Sequence, residues 1–184
     1  MPYDKSMPED AGPGNIFAAY PDIYGHWTKM GEKLINGPSP LSPAERELIQ
    51  AYVAGIANIN YSYIAHAEAA YARGIERGIA DALVDDIDSA PVEEKWKPVF
   101  RYVKKLTLDP SSVMEKDAEA IFNAGWDKQA FHDIIAVTAR MNFMCRVVEG
   151  FGFIPKTPDA ARAQAERRAK VGYVDLYPEM KEQS

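Results

Sequence analysis

Three side chains in the first half of the sequence have the types and spacing to move protons together. Glu47 supplies a carboxylate, Ser62 a hydroxyl and His66 an imidazole, the last two within the stretch "NINYSYIAH" at residues 58–66. Positions three, four and seven apart share one face of a helix, which stacks Ile59, Ser62 and His66 on a single side and turns Tyr63 partly away. A carboxylate beside an imidazole can act as a general acid–base pair, and the hydroxyls of Ser62, Tyr61 and Tyr63 can orient a substrate.

Two helices must position these groups. Ser42 as cap, Pro43 in the first helical position and Glu45 three residues after the cap form a capping-box signature. It predicts a helix over 43–57 with Leu48, Ile49, Tyr52, Val53 and Ile56 as its apolar stripe. After "NIN" a second helix is predicted to run to about Arg73 and to close at Gly74. Helices joined by a tight connection pack antiparallel, so Glu47 is expected to face the Ile59, Ser62 and His66 stack.

Further helices are predicted over 22–35, 79–88, 92–106, 113–124, 127–149 and 159–171. Pro91, "DPSS", "AGWD" and "GFGFIPKTP" separate the later ones. The β-branched runs and alternation that a sheet needs are absent, which predicts an all-α fold. A length of 184 residues suits one domain. Residues 1–14, rich in Pro, Gly and acid, read as a flexible N-terminal arm, 15–155 as the helical domain, and 156–184 as a C-terminal helix and tail. The apolar residues of "YVDLYPEMKEQS" are expected to lie against their own domain or a neighbouring subunit.

Composition narrows the function classes. Apolar residues make up 47% and charged residues 26%, as in a packed soluble domain. A net charge of -6 argues against a nucleic-acid partner, and the one basic cluster, "RAQAERRAK" at 162–170, reads as a solvated helix face. No apolar run is long enough to span a bilayer and the start lacks a secretory layout, so no membrane association and a cytoplasmic location are expected. Cys145 is the single cysteine, which rules out a disulfide within the chain, and its apolar helical surroundings mark it as a small core residue.

The run "LSPAERELIQAYVAGIANINYSYIAHAEAAYARGI" resembles the core of the carboxymuconolactone decarboxylase and alkylhydroperoxidase D (AhpD)-like family, in particular its peroxidase-related branch. That core reads as a Glu, eleven residues, then Cys-x-x-Cys-x-x-x-His. Glu47 matches its glutamate and His66 its histidine, while Ile59 and Ser62 occupy the two cysteine positions. The flanking segments "GPSPLSPAEREL" and "RMNFMCRVVEGFGF" are similar to those of the same branch. The resemblance implies an AhpD-like helical bundle, a homo-oligomer with pockets near subunit contacts, and no cofactor. In the peroxidases of the family the second cysteine attacks the peroxide and the first resolves it as a disulfide; a serine oxygen cannot run that cycle. The decarboxylase members are similar in lacking the cysteine pair while using polar residues of this region.

The reading that follows is a proton-transfer enzyme acting on a small organic acid, lactone or carbonyl compound. Its catalytic residues are Glu47, His66 and Ser62, with Ile59, Tyr61 and Tyr63 binding the substrate and no metal. The alternatives are a peroxidase-related antioxidant protein and a non-catalytic oligomeric relative. A carboxylate near a helix start is favoured by the helix dipole whatever its function, and a core histidine can simply be satisfied by it. A Ser62, His66 and Glu47 hydrolase triad lacks the Gly-x-Ser-x-Gly elbow that would hold its nucleophile. A metal site using His26 or His132 lacks ligand spacing.

Overall fold

The computed structural model describes residues 1–177. Its helices run in the order α1 (Pro13–Ala19), α2 (Pro21–Asn36), α3 (Pro43–Ile56), α4 (Asn60–Ala72), α5 (Ile79–Asp85), α6 (Lys97–Leu108), α7 (Glu115–Asn123), α8 (Lys128–Phe151) and α9 (Pro158–Val171). Short 3-10 turns at Glu94–Trp96 and Pro110–Ser112 precede α6 and α7. Among the described residues there is no strand, and no helix is long and apolar enough to cross a membrane.

The capping box predicted at Ser42 forms. The Glu45 N–H donates to the Ser42 hydroxyl at 3.2 Å and the Ser42 N–H donates to the Glu45 carboxylate at 2.7 Å, so α3 begins with two otherwise orphaned donors satisfied. At the other end the chain turns through Asn58, whose φ of 57° is a left-handed conformation that asparagine tolerates better than most residues. That three-residue connection folds α4 back along α3.

Helix α3 is more deeply placed than a one-sided stripe implies. Every residue from Arg46 to Ala54 is buried, because α4, α5, α6 and α8 all pack on it. A helix enclosed on several sides carries its polar residues inward as well. Arg46 shows how one is accommodated: its guanidinium donates to the carbonyls of Leu34 and Gly37 at 2.7 and 2.9 Å, capping the C-terminal end of α2.

Several boundaries shift from the sequence reading. Pro13 opens α1, whose Ile16 and Phe17 are buried, and Ala11 is buried ahead of it. The helix expected over 79–88 ends at Asp85, where Asp86 turns extended. The helix expected from Val92 begins at Lys97, after the 3-10 turn and with a proline in its first turn. Past α9, Gly172 reverses the chain at φ 74° and the Tyr173 N–H donates to Glu32 of α2 at 2.6 Å. Tyr173 and Leu176 are buried, so this part of the tail packs against its own chain; residues 178–184 lie outside the described ones.

Removing the Ser42 hydroxyl leaves the Glu45 N–H without its cap. Ser42→Ala is expected to lower the unfolding free energy by about 1 kcal/mol. Urea denaturation checks this, and an unchanged midpoint would contradict it.

Candidate active site

Glu47 projects from the first half of α3 and His66 from the middle of α4, and the antiparallel pairing of the two helices brings them together. His66 Nδ1 lies 2.7 Å from Glu47 Oε2. Both are buried, Glu47 completely and His66 with 8% of its surface exposed. A buried carboxylate is unfavourable unless hydrogen-bonded and paired, and Glu47 is both. Oε2 also accepts from Gln50 Nε2 at 3.1 Å, Oε1 accepts from the Tyr173 hydroxyl at 3.0 Å, and Arg73 Nη1 lies 3.8 Å from Oε1.

These partners decide the protonation states. Burial alone would raise the pKa of Glu47 and favour its neutral form, but the His66 hydrogen bond and the nearby Arg168 and Arg73 outweigh it and push the pKa down to about 2. Burial holds His66 below its ordinary 6.5 despite Glu47, with Arg168 and Arg140 adding to the depression. Near neutral pH the pair is therefore a carboxylate and a neutral imidazole. The hydrogen on Nδ1 is donated to Glu47, which leaves Nε2 with its lone pair on a ring that lines a cavity.

That cavity has a volume of about 50 Å³. Its polar lining comes from Tyr61, Ser62, His66, Arg140, Arg168 and Tyr173, and its apolar wall includes Phe17, Met141, Met144 and Val148. Of the residues singled out in the sequence, Ser62, His66 and Tyr61 line it, with Glu47 directly behind His66. Ile59 caps the start of α4 and packs against the core, and Tyr63 points elsewhere, its hydroxyl bonded to Asp81; neither lines the cavity. Ser62 lies beside Cys145, whose thiol burial pushes up to about 11. His132 is exposed and pairs with Asp133 at 2.9 Å. Among the described residues no three His, Cys, Asp or Glu side chains converge on a metal position.

Several polar residues of the site escape the sequence reading, Tyr173 in the C-terminal segment among them. Gln50 is three positions after Glu47 and Arg73 is seven after His66, so the same face rule that grouped the candidates would have included them. Arg140, on α8, donates to Gln50 Oε1 at 2.7 Å and packs against the rings of Trp27 and Tyr173, each centred 4.7 Å away. Arg168, on α9, corrects the expectation that 162–170 is wholly a solvated face. Ala161, Ala165 and Arg168 form the buried side of α9, the two small alanines letting it approach α4 closely, and Arg168 reaches inward over the Tyr173 ring at 5.2 Å. Nε of Arg140 and both Nε and Nη1 of Arg168 have no hydrogen-bond partner among the described residues.

Comparison with solved structures adds the architecture. An uncharacterized peroxidase-related protein from Silicibacter sp. TM1040 superposes with a TM-score of 0.70 at 23% identity, covering 86% of this chain and 93% of that one. A second, from Ralstonia eutropha JMP134 and described as an alkylhydroperoxidase AhpD core, gives a TM-score of 0.73 at 20% identity, covering 82% and 78%. The chain has the AhpD-like fold. No protein-family model and no curated protein matches the sequence. At these identities the likeness carries the helical arrangement and leaves the chemistry to the residues themselves.

The depressed pKa values of the pair set a pH dependence of stability. As pH falls through 6.5 the unfolded histidine takes up a proton that folded His66 refuses; as it falls from 4.5 toward about 2, the same holds for Glu47. Both contributions are present at neutral pH and lost on acidification. The unfolding free energy of the wild type is expected to fall between pH 7 and 5, and His66→Asn to flatten that slope. Urea unfolding across the range measures it, and identical slopes in the two proteins would contradict the assignment of His66.

Proposed function

We propose that Glu47 and His66 form a proton-transfer dyad acting on a small organic acid, lactone or related carbonyl compound. The observation that carries this reading is the 2.7 Å contact between a fully buried carboxylate and the Nδ1 edge of a neutral imidazole that borders a cavity. In this arrangement Nε2 is the base. It removes a proton from a carbon next to a carbonyl group, or from water attacking that carbonyl, and the Glu47 carboxylate stabilises the imidazolium that forms. Negative charge arising on the substrate oxygen is then offset by the nearby guanidinium groups, which burial makes more effective than they would be in water. Returning the proton from Nε2 to another substrate atom completes the cycle. Ser62 and Tyr61 are placed on the cavity wall to orient the substrate.

Thiol peroxidase chemistry is a poorer fit to these residues. The resemblance assigns the attacking and resolving cysteine positions to Ser62 and Ile59, and Cys145, with its pKa pushed up to about 11, stays a thiol at neutral pH when the attack requires a thiolate. Two observations favour a non-catalytic relative: the cavity is small, and Tyr173, which lines it, is hydrogen-bonded to Glu47.

Turnover of a candidate lactone or carboxylic acid decides between them. Glu47→Gln and His66→Asn are each expected to lower kcat/KM by roughly 100-fold or more. Because the working form of His66 is the free base, kcat/KM should also decline on acidification with an apparent pKa below 6.5. Unchanged turnover in both variants would rule the dyad out.

A further inference from the structure

We propose that the cavity beside His66 is a carboxylate-binding site in which Arg168 and Arg140 hold the anion. The inference rests on the proton-transfer reading only for what happens after binding; the binding itself is argued from the arginines. Their buried side chains retain 6% and 5% exposure, and both line the cavity. Three of their N–H groups have no acceptor among the described residues: Nε and Nη1 of Arg168 and Nε of Arg140. Buried donors of this kind are ordinarily satisfied, and charged ones most of all.

The charge distribution points the same way. Three guanidinium groups, those of Arg73, Arg140 and Arg168, surround the single Glu47 carboxylate, and His66 is neutral. Arg73 donates from one nitrogen to Asn36 Oδ1 at 3.0 Å, and its Nη1, 3.8 Å from Glu47 Oε1, makes an ion pair without a hydrogen bond. Arg140 spends one on Gln50. The other polar residues lining the cavity include Ser62, Tyr61, Tyr173, Tyr177, Gln164 and Trp27. Glu32 stays outside the lining, holding the Tyr173 N–H. Among the described residues positive charge is thus left over at this site, and an anion is the group that would balance it.

The geometry selects a carboxylate of small size. A guanidinium offers a planar fork of donors that matches two carboxylate oxygens, which an ammonium does not. Trp27 and Tyr173 both pack on the Arg140 guanidinium, and a Cβ on Gly31 would come within 2.6 Å of its Nη2, so a side chain there would displace it. A volume of about 50 Å³, bordered by His66, admits an anion of the size of acetate. Larger acids would require Tyr173 and Tyr177, which also line the space, to move.

Acetate is therefore the probe, with acetamide as its neutral counterpart of the same shape. Titrated into the full-length protein at constant ionic strength, acetate is expected to change tryptophan fluorescence saturably, through Trp27 on Arg140, and to raise Tm, while acetamide does neither. Arg168→Gln should weaken acetate by about tenfold or more, the worth of a hydrogen-bonded charge, with Arg168→Lys in between. A wild type that responds equally to both probes or to neither, or Arg168 variants that bind acetate like the wild type, would overturn the site. Loss of acetate binding alongside the expected Glu47→Gln and His66→Asn turnover defects would remove this proposal and spare the dyad; saturable acetate binding with unchanged turnover in those variants would do the reverse.

Discussion

Burial of the Glu47 carboxylate is the constraint on which the rest of the molecule depends. An ion out of contact with water is tolerated only when its oxygens are filled with donors and its charge is matched, and removing one partner of such a set is worth about 3–5 kcal/mol of destabilisation. Glu47 receives its donors from α4 through His66, from α3 itself through Gln50, and from the segment after α9 through Tyr173. The Asn58 turn, the docking of α9 on α4 and the return of the chain past Gly172 are all needed before that carboxylate can be satisfied. The same bonds that close the core therefore also fix the state of the imidazole.

Fixing the imidazole has a chemical consequence. A histidine that gives its Nδ1 hydrogen to a buried carboxylate has one tautomer available, and its other nitrogen is a base whose direction is set by the backbone of α4. The arginines around it serve two ends at once. They add to the His66 hydrogen bond in lowering the pKa of Glu47, and to burial in lowering that of His66. Under the proposed reading, a neutral base beside an excess of guanidinium charge suits reactions in which a substrate loses a proton and gains negative charge on oxygen.

Much of this was legible in the sequence, and the parts that were not share a cause. The all-α class, the Ser42 capping box and the α3–α4 pairing followed from local spacing, because each depends on residues within a few turns of one another. Gln50 and Arg73 obey the same spacing and were within reach. Arg140 and Arg168 were not. They stand 90 positions or more from Gln50 and Glu47, and whether an arginine in a polar helix points to solvent or inward depends on what packs against that helix. In α9 the decision rests on Ala161 and Ala165, which look unremarkable in a chain and become a docking face only once α4 is opposite them. Tyr63 shows the converse: its neighbours in sequence suggested the site, and Asp81 of α5 draws it away.

The central claim is that His66 is a neutral imidazole donating from Nδ1 to Glu47, and nuclear magnetic resonance reads it directly. Long-range proton–nitrogen correlations of the His66 ring at pH 7 are expected to show a protonated Nδ1 and an unprotonated, basic Nε2, and Glu47→Gln should change that pattern. A doubly protonated ring, or the tautomer with its hydrogen on Nε2, would contradict the account.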